Sequence, residues 1–399
     1  MLQTLRLVVA TSSIRTATLT LFCLGTAAAS AYPYLSLVAI QQLGFSAQGL
    51  GVLLFISALA TTLGAIIIGH ISDELPDRKR AILLTLVVGA ASFWMFSFFP
   101  GRNNFLFVLL FGLPLASSAF GQLFAVIRQE AAQFAPGESA SINSVVRAIF
   151  AGAWILVPGA VGAYVAATGT PSDAYWVAGI ALLIALLVYG LFGANGGRST
   201  PPEFGRWQGL IKAFALIAAP FIMWRLLALA LIGVGQHVNA ALMPLLITGN
   251  LGGSMREVGI YAGLVAGLEI PFMLIGAAMA LRFPLYSVIV AGALAHVTYL
   301  LLLSATTSLG IIFFLAIVNA AGSAILLSLH LGYVQALLPD RPGLGTSLLS
   351  VGLLLSRIAG AAIVGGVGAF YSHTGALILA ACGIAIGAVL FTLLDRRST

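Results

Sequence analysis

The chain has 399 residues, of which 60% are hydrophobic and 7% charged, and its mean hydropathy is +1.09. Soluble globular domains carry about 25% charged residues, so the composition excludes that class. The formal net charge of +7 has to be explained within a protein that spends most of its length in a bilayer.

Twelve apolar segments are long enough to span a hydrocarbon core of about 30 Å, which takes roughly 20 helical residues. Their continuous apolar character excludes the alternating pattern of a membrane β-barrel. We therefore predict an all-α membrane protein with twelve transmembrane helices. The predicted spans are 17–40, 46–70, 81–99, 104–129, 139–166, 174–193, 213–246, 258–281, 285–304, 310–337, 345–370 and 375–394.

The positions of the basic residues predict the orientation. With a cytoplasmic N-terminus, 13 of the 18 Lys and Arg residues lie inside or at inner helix ends, two lie outside and three lie within spans. This asymmetry predicts a multi-pass protein with both termini in the cytoplasm. The basic excess then reflects topology, and no nucleic-acid partner is expected.

The first segment has an alternative interpretation. Ala29-Ser30-Ala31 resembles a signal-peptidase site, so residues 1–31 could be a removable signal peptide. The apolar run continues to Ile40, which favours a retained span. Both cysteines, Cys23 and Cys382, lie inside predicted spans, so neither a disulfide framework nor a metal cluster is indicated.

The sequence divides into two halves. A polar stretch rich in Gly and Pro separates the sixth and seventh spans, which predicts a six-helix bundle over 1–193, a cytoplasmic linker over 194–212 and a second bundle over 213–399. Such halves, related by an internal repeat, are the architecture of alternating-access transporters. The echoed segments are 158–164 with 364–370, 168–169 with 374–375, and 32–35 with 243–246.

The loop after the second span carries a family motif. Its sequence is Gly69-His-Ile-Ser-Asp73-Glu-Leu-Pro-Asp-Arg78-Lys-Arg80, and it resembles the loop signature of the major facilitator superfamily. It keeps the Gly, the Asp four residues later and the basic run, but lacks the usual Gly before the basic residues. For Asp73 and Arg78 the resemblance implies a role in a cytoplasmic gate.

Further motifs resemble the bacterial sugar efflux transporter family. This resemblance implies export of sugars and glycoside analogues, coupled to proton entry, with the proton gradient as the energy source and no cofactor. It covers most of the chain. The motifs lie at 122–130, 144–148, 243–245, 267–271 and 335–339.

A sugar has many hydroxyls and no charge, so its site needs hydrogen-bonding groups and aromatic faces on an apolar wall. Ten residues within spans supply such groups, although hydrogen bonding between helices is an equally good interpretation of them. Arg147 matches a family motif and is the preferred site arginine, with pairing to Glu130 as its alternative. The candidates are Gln122, Asn143, Arg147, Trp154, Trp224, Arg225, His237, Asn239, Asn319 and Arg357.

Glu269 is the sharpest candidate. The other acidic residues map to loops or span ends, whereas Glu269 lies roughly 18 Å into the eighth span. Carboxylates in this position are the usual proton carriers of membrane proteins, so we predict proton coupling or substrate binding. The alternative is a neutralised pair with Arg225, Arg357 or another buried base, and the predicted spans put both arginines near their middle. Pro271 is expected to disturb the helix beside Glu269.

Opposite charges at the cytoplasmic ends of the second and fourth spans are predicted to latch an inner gate. The gate residues are Asp73, Arg78, Arg128 and Glu130. The nearby Glu74, Asp77 and Lys79 are expected to be ordinary solvated loop charges.

The sequence has no P-loop and no metal-binding histidine spacing such as His-Glu-x-x-His. A secondary active transporter, not an enzyme, is therefore expected, working as a monomer on a mono- or disaccharide. Export of amphipathic drugs and proton-coupled sugar import remain alternatives.

Overall fold

The computed structural model describes residues 2–74, 77–194, 219–337, 342–370 and 373–396, and the regular elements in these ranges are all helical. A short helix, α1 (Leu2–Ala10), precedes twelve helices that are long and apolar enough to cross a membrane. These are α2 (Ser12–Gln42), α3 (Ala47–Glu74), α4 (Arg78–Phe98), α5 (Arg102–Ala131), α6 (Pro136–Thr168), α7 (Asp173–Phe192), α8 (Pro220–Asn250), α9 (Met255–Ala280), α10 (Leu285–Ser304), α11 (Leu309–Ala336), α12 (Pro342–Phe370) and α13 (His373–Asp395).

The predicted fold class is confirmed, and most span boundaries differ from the prediction by only a few residues. The seventh span is the exception, because α8 begins at Pro220 and not near 213. Proline suits the first turn of a helix, where its missing N–H would have no partner in any case. Apart from Ala194, the predicted linker lies outside the described residues.

Contacts between Cα atoms divide the described residues into two compact units. The first unit covers the ranges Met1–Leu43, Leu59–Pro201 and Met255–Gly263, and the second covers Gly44–Ala58, Pro202–Ser254 and Leu264–Thr399. The boundary between the two units therefore falls inside α3 and inside α9.

The two units repeat one contact pattern. In the first, α2 packs against α5, α6 and α7, and α4 packs against α5 and α7. In the second, α8 packs against α11, α12 and α13, and α10 packs against α11 and α13. Adding six to each helix number of the first unit gives the matching pair in the second, as an internal repeat requires.

The first spanning helix of each unit also ends in the same way. Val38–Gln42 and Leu246–Asn250 are π-helical turns, and the next residue in each donates its N–H to the first carbonyl of the turn, at 2.9 and 3.1 Å. Gly44 (φ 65°) and Gly252 (φ 66°) follow. Glycine reaches this left-handed conformation without strain, so the chain can reverse at the same point in both units.

These matching turns set the repeat spacing at 252 minus 44, or 208 residues. The echo between 32–35 and 243–246 has a spacing of 211, so it is three residues out of structural register. The echo between 168–169 and 374–375 is wrong as a structural equivalence. Gly169 is the left-handed cap that ends α6, whereas Gly375 lies inside α13.

Helices α8 and α13 pack closely through glycine. A Cβ atom added to Gly387 would lie 2.8 Å from both the Ala228 carbonyl oxygen and the Leu231 Cβ. Gly383, one turn earlier on α13, has no such neighbour within 4 Å among the described atoms. Small residues are what allow helix backbones to approach this closely within a membrane.

We predict that Gly387→Ala lowers the melting temperature of the detergent-purified protein, because overpacking costs about 1–3 kcal/mol. The matched control, Gly383→Ala, should be neutral or stabilising, since alanine is the better helix former by about 0.5–1 kcal/mol. Thermal unfolding followed by tryptophan fluorescence measures both. Equal melting temperatures for the two variants would contradict the close packing.

Candidate functional site

Glu269 lies near the middle of α9, 14 residues or about 21 Å along the helix from Met255. Its side chain is partly buried, and Oε1 accepts a hydrogen bond of 2.7 Å from the Ser323 hydroxyl. The same hydroxyl also lies 3.4 Å from the Ala320 carbonyl of its own helix, α11. The carboxylate therefore has a neutral donor as its partner.

Ser323 is the residue that sequence reasoning missed. It follows Asn319 by four residues and so lies on the same face of α11. Both side chains are at least 95% buried. Asn319, which the sequence does single out, could have pointed to Ser323, because two polar residues one turn apart in an apolar helix indicate a polar face.

A third helix completes this group. The Gln236 amide of α8 donates to the Ser323 carbonyl over 3.4 Å, a long hydrogen bond. Gln236, Glu269 and Ser323 form what we call the carboxylate cluster, which joins α8, α9 and α11 in the second unit. Among the described residues, Glu269 makes no salt bridge, so the predicted neutralising pair with Arg225 or Arg357 is wrong for the structure described.

Arg225 has a different position and partner from those predicted. Because α8 begins at Pro220, Arg225 lies in its second turn and not near the middle of the span. Its Nε is 2.8 Å from Asp395 Oδ1, and its Nη1 and Nη2 donate to the carbonyls of Phe221 and Leu394 at 3.0 and 2.7 Å. Two of these contacts, to Asp395 and Leu394, hold α8 to the end of α13.

Tyr333 joins this ion pair from α11. Its hydroxyl donates to Asp395 Oδ1 at 2.9 Å, and both Arg225 and Asp395 are more than 90% buried. A buried pair satisfied on both sides is costly to break, since removing one partner leaves an uncompensated charge. The geometry assigns these three residues to stability.

We predict that Asp395→Asn destabilises the protein by about 3–5 kcal/mol, because Arg225 then keeps its charge in a buried place. Thermal unfolding of the purified protein measures the loss. The double variant Arg225→Met with Asp395→Leu should recover most of it, since no charge is left behind. A single variant as stable as the wild type would show that the pair is solvated.

The remaining candidates of the second unit are spread over α8 and α12. The Asn239 side-chain carbonyl accepts a 2.7 Å hydrogen bond from the Tyr299 hydroxyl, which ties α8 to α10. His237 packs against Gly360 of α12, three residues after Arg357. Trp224 is 47% exposed near the start of α8, about 18 Å along the helix from Gln236, and does not join the cluster.

The first unit contains a cavity of about 260 Å³ walled by aromatic rings. Trp154 stacks on Tyr32 with 6.3 Å between ring centroids and an interplanar angle of 29°. The wall is otherwise mainly apolar, with Ser117 as a further hydroxyl. We call it the aromatic cavity, and its rings come from Tyr32, Phe93, Phe120, Phe150 and Trp154.

Three predicted polar residues of this unit lie elsewhere. Gln122 is buried and accepts a short hydrogen bond from the Ser72 hydroxyl, which ties α5 to α3. The Asn143 amide donates to the Ser139 carbonyl of its own helix at 2.9 Å. Arg147 is exposed, with its guanidinium carbon 5.2 Å from the Phe124 ring centroid. This is a cation–π contact, and not the alternative pairing with Glu130.

At the predicted gate, Asp73 belongs to α3, but its side chain lies outside the described residues. Arg78 is the first residue of α4, and Arg128 and Glu130 lie near the end of α5. The latch itself stays a prediction.

Two neighbouring charges are not the solvated loop residues that were expected. The Asp77 carboxylate caps α4 by accepting the Lys79 N–H at 2.8 Å. Lys79 Nζ donates to the Gly193 carbonyl at 2.9 Å, just past the end of α7. Both therefore hold helix ends in place, as caps and last-turn cations do.

Comparison with known proteins places this arrangement in a family. Residues 17–237 match the family model of the Major Facilitator Superfamily. A putative sugar efflux transporter of Deinococcus radiodurans is 33% identical over 388 residues, covering 93% of this chain and 96% of the relative. The chain belongs to the sugar efflux transporter family of the major facilitator superfamily. The predicted family is thus confirmed.

A further relative also carries the name of a sugar efflux transporter. Sugar efflux transporter A of Escherichia coli K12 is 26% identical over 360 residues, with 88% of each chain covered.

Among solved structures, the nucleoside transporter NupG matches with a TM-score of 0.78 at 14% identity, over 95% of this chain and 98% of its own. The peptide transporter POT in complex with sulfate matches with a TM-score of 0.77 at 12% identity, over 96% and 94%.

These structural matches show a shared transporter fold. Together with the family, they establish that the chain is a multi-pass membrane transporter and not an enzyme.

Proposed function

We propose that this protein exports sugars or glycosides across a bacterial inner membrane in exchange for protons, by alternating access of its two halves. The observation that carries the proposal is the carboxylate cluster: an acidic side chain halfway along a membrane helix, held by a serine hydroxyl. The relatives named as sugar efflux transporters support the substrate class.

The cluster has the chemistry that proton coupling needs. A carboxylic acid crosses an apolar interior as the neutral acid, and after release it leaves an anion that requires a hydrogen-bond donor. Ser323 supplies that donor at 2.7 Å. A fixed cation such as Arg225 would instead have held Glu269 permanently as an anion. The energy source in this proposal is the proton gradient, with no cofactor.

The aromatic cavity supports recognition of a ring. Ligand sites usually enclose about 300–1,000 Å³, so a cavity of about 260 Å³ has room for one ring of a small substrate. The stacked faces of Tyr32 and Trp154 suit the C–H face of a pyranose or the apolar group of a glycoside. The hydroxyls of Ser117 and Tyr32 then supply hydrogen bonds.

A second candidate function, export of amphipathic drugs, draws on the same apolar lining. Proteoliposomes that accumulate hydrophobic cations but neither labelled lactose nor glucose would favour this candidate over sugar export. Accumulation in the direction of proton flow would instead indicate an importer.

We predict that Glu269→Gln abolishes sugar movement driven by a pH gradient, because the amide cannot carry a proton. Exchange of labelled for unlabelled sugar, which moves no net proton, should persist. The matched control is Glu257→Gln, the same change in the first turn of the same helix, which should retain gradient-driven transport. Unchanged gradient-driven transport in Glu269→Gln would rule out the coupling role.

We predict that Trp154→Ala raises the KM for a glycoside roughly tenfold, because ring stacking contributes about 0.5–1.5 kcal/mol beyond the buried area. Trp224→Ala should leave KM unchanged, since that indole is exposed near the start of α8. Initial rates of sugar uptake into everted vesicles measure both. Equal effects of the two substitutions would remove the aromatic cavity from the substrate site.

A further inference from the structure

The second unit contains a smaller cavity of about 20 Å³, between α8, α11 and α12. Four polar side chains line it, and the rest of its wall is apolar. We call it the histidine cavity, and its polar residues are Gln236, His237, His330 and Ser356.

Two of these side chains have buried polar atoms without a hydrogen-bond partner among the described residues, namely Nε2 of His330 and the hydroxyl of Ser356. Ser356 is 99% buried. Gly233 faces it from α8, and a Cβ there would come within 2.7 Å of the hydroxyl. The fold thus keeps space for a hydroxyl that no described protein atom satisfies.

The size of the cavity indicates the ligand. Holding one water molecule takes about 10–15 Å³ of probe-occupied volume, and such a water needs two to four polar partners. The histidine cavity has about 20 Å³ and offers His330, Ser356 and Gln236 as partners. It is too small for a sugar and lacks a carboxylate for a metal ion.

Gln236 connects this cavity to the carboxylate cluster. Its amide donates to the Ser323 carbonyl, and its side chain also lines the histidine cavity. His330 lies seven residues after Ser323, about 10 Å further along α11. This direction leads to the end of α11 that the basic residues predict to be cytoplasmic.

The other charged and titratable groups of the surrounding helices are already engaged or lie off this path. Arg225, Tyr333 and Asp395 form the ion-pair group of α8, α11 and α13. His296 of α10 also has ring nitrogens without a hydrogen-bond partner among the described residues, but it packs against Gly235 and Gly322 and does not line the cavity. His330 is the imidazole that places an unpartnered ring nitrogen at the cavity wall.

We propose that the histidine cavity binds one water molecule and that His330, through this water, passes protons between Glu269 and the inner face of the protein. The relay role rests on the proton coupling proposed above, whereas the water site does not.

The relay step conserves atoms and charge. The acid O–H bond of Glu269 breaks as its proton moves onto a second water molecule that enters beside Gln236. That water passes a proton to the water in the cavity, and a proton of the cavity water moves onto His330 Nε2 to form an N–H bond. Release of the His330 proton to the inner aqueous phase restores the neutral imidazole. Gln236 stands between the two groups, and its long hydrogen bond to Ser323 is the contact that must give way when water connects them.

The test compares two transport assays in proteoliposomes, with His330→Gln as the variant and His296→Gln as the matched control, another buried histidine of the same unit. His330→Gln should slow pH-gradient-driven sugar transport about a hundredfold or more, the lower end of the range for loss of one proton-transfer group. Sugar exchange without net proton movement should stay within about twofold of the wild type by the same reasoning. His296→Gln should not separate the two assays.

Three outcomes overturn the relay: gradient-driven transport equal to the wild type, an equal fall in both assays, or a wild type that is insensitive to the pH gradient. The last outcome also removes the proposed function, which the first two leave standing.

A density map that resolves ordered water tests the site independently. A peak within hydrogen-bonding distance of both His330 Nε2 and Ser356 Oγ is expected, with loss of the peak in Ser356→Ala. A wild-type map without this peak overturns the water site.

Discussion

The absence of water from the hydrocarbon core governs this protein, because a polar group placed there needs a partner in the protein or in a water molecule that the protein holds. Hydroxyls of α2 solve the problem locally: Thr18 and Thr20 donate to carbonyls four residues back, at 2.6 and 2.8 Å. Charged groups cannot, so Arg225 and Asp395 are drawn from helices 170 residues apart in sequence. The few polar contacts between helices therefore mark the places where the relative position of two helices is fixed by a specific partner.

The two units share one pattern of helix packing but differ in the side chains that surround their interior spaces. The contact pattern and the turn at Gly44 and Gly252 repeat, so each unit solves the same packing problem. The first unit encloses an apolar space between aromatic rings, and the second encloses polar groups around a carboxylate. In the function that we propose, ring recognition and proton handling therefore reside in different units that share one packing pattern.

The sequence is sufficient to predict the features that depend on the length of apolar runs. The twelve spans follow from runs of about 20 apolar residues, and Glu269 stands out because a carboxylate in such a run is rare. Hydropathy does not mark where a helix begins. The sequence therefore predicts a start of α8 near residue 213, and it predicts a position for Arg225 that is too deep in the membrane span. The Ser323 hydroxyl is hidden for a related reason, since serine barely alters the hydropathy of the apolar helix that carries it. The aromatic cavity draws on rings from four helices, and no local pattern brings Tyr32 to Trp154.

The position of Ser323 has a consequence for movement. Its hydroxyl lies within reach of two acceptors, the Glu269 carboxylate at 2.7 Å and the Ala320 carbonyl at 3.4 Å. A small rotation about one bond exchanges the first acceptor for the second, so α9 can draw its carboxylate away without leaving an orphaned hydroxyl on α11. An arginine in place of Ser323 would have held the Glu269 carboxylate in an ion pair. In the proposed transport cycle, the Ser323 hydroxyl is a contact that α9 can release at little energetic cost.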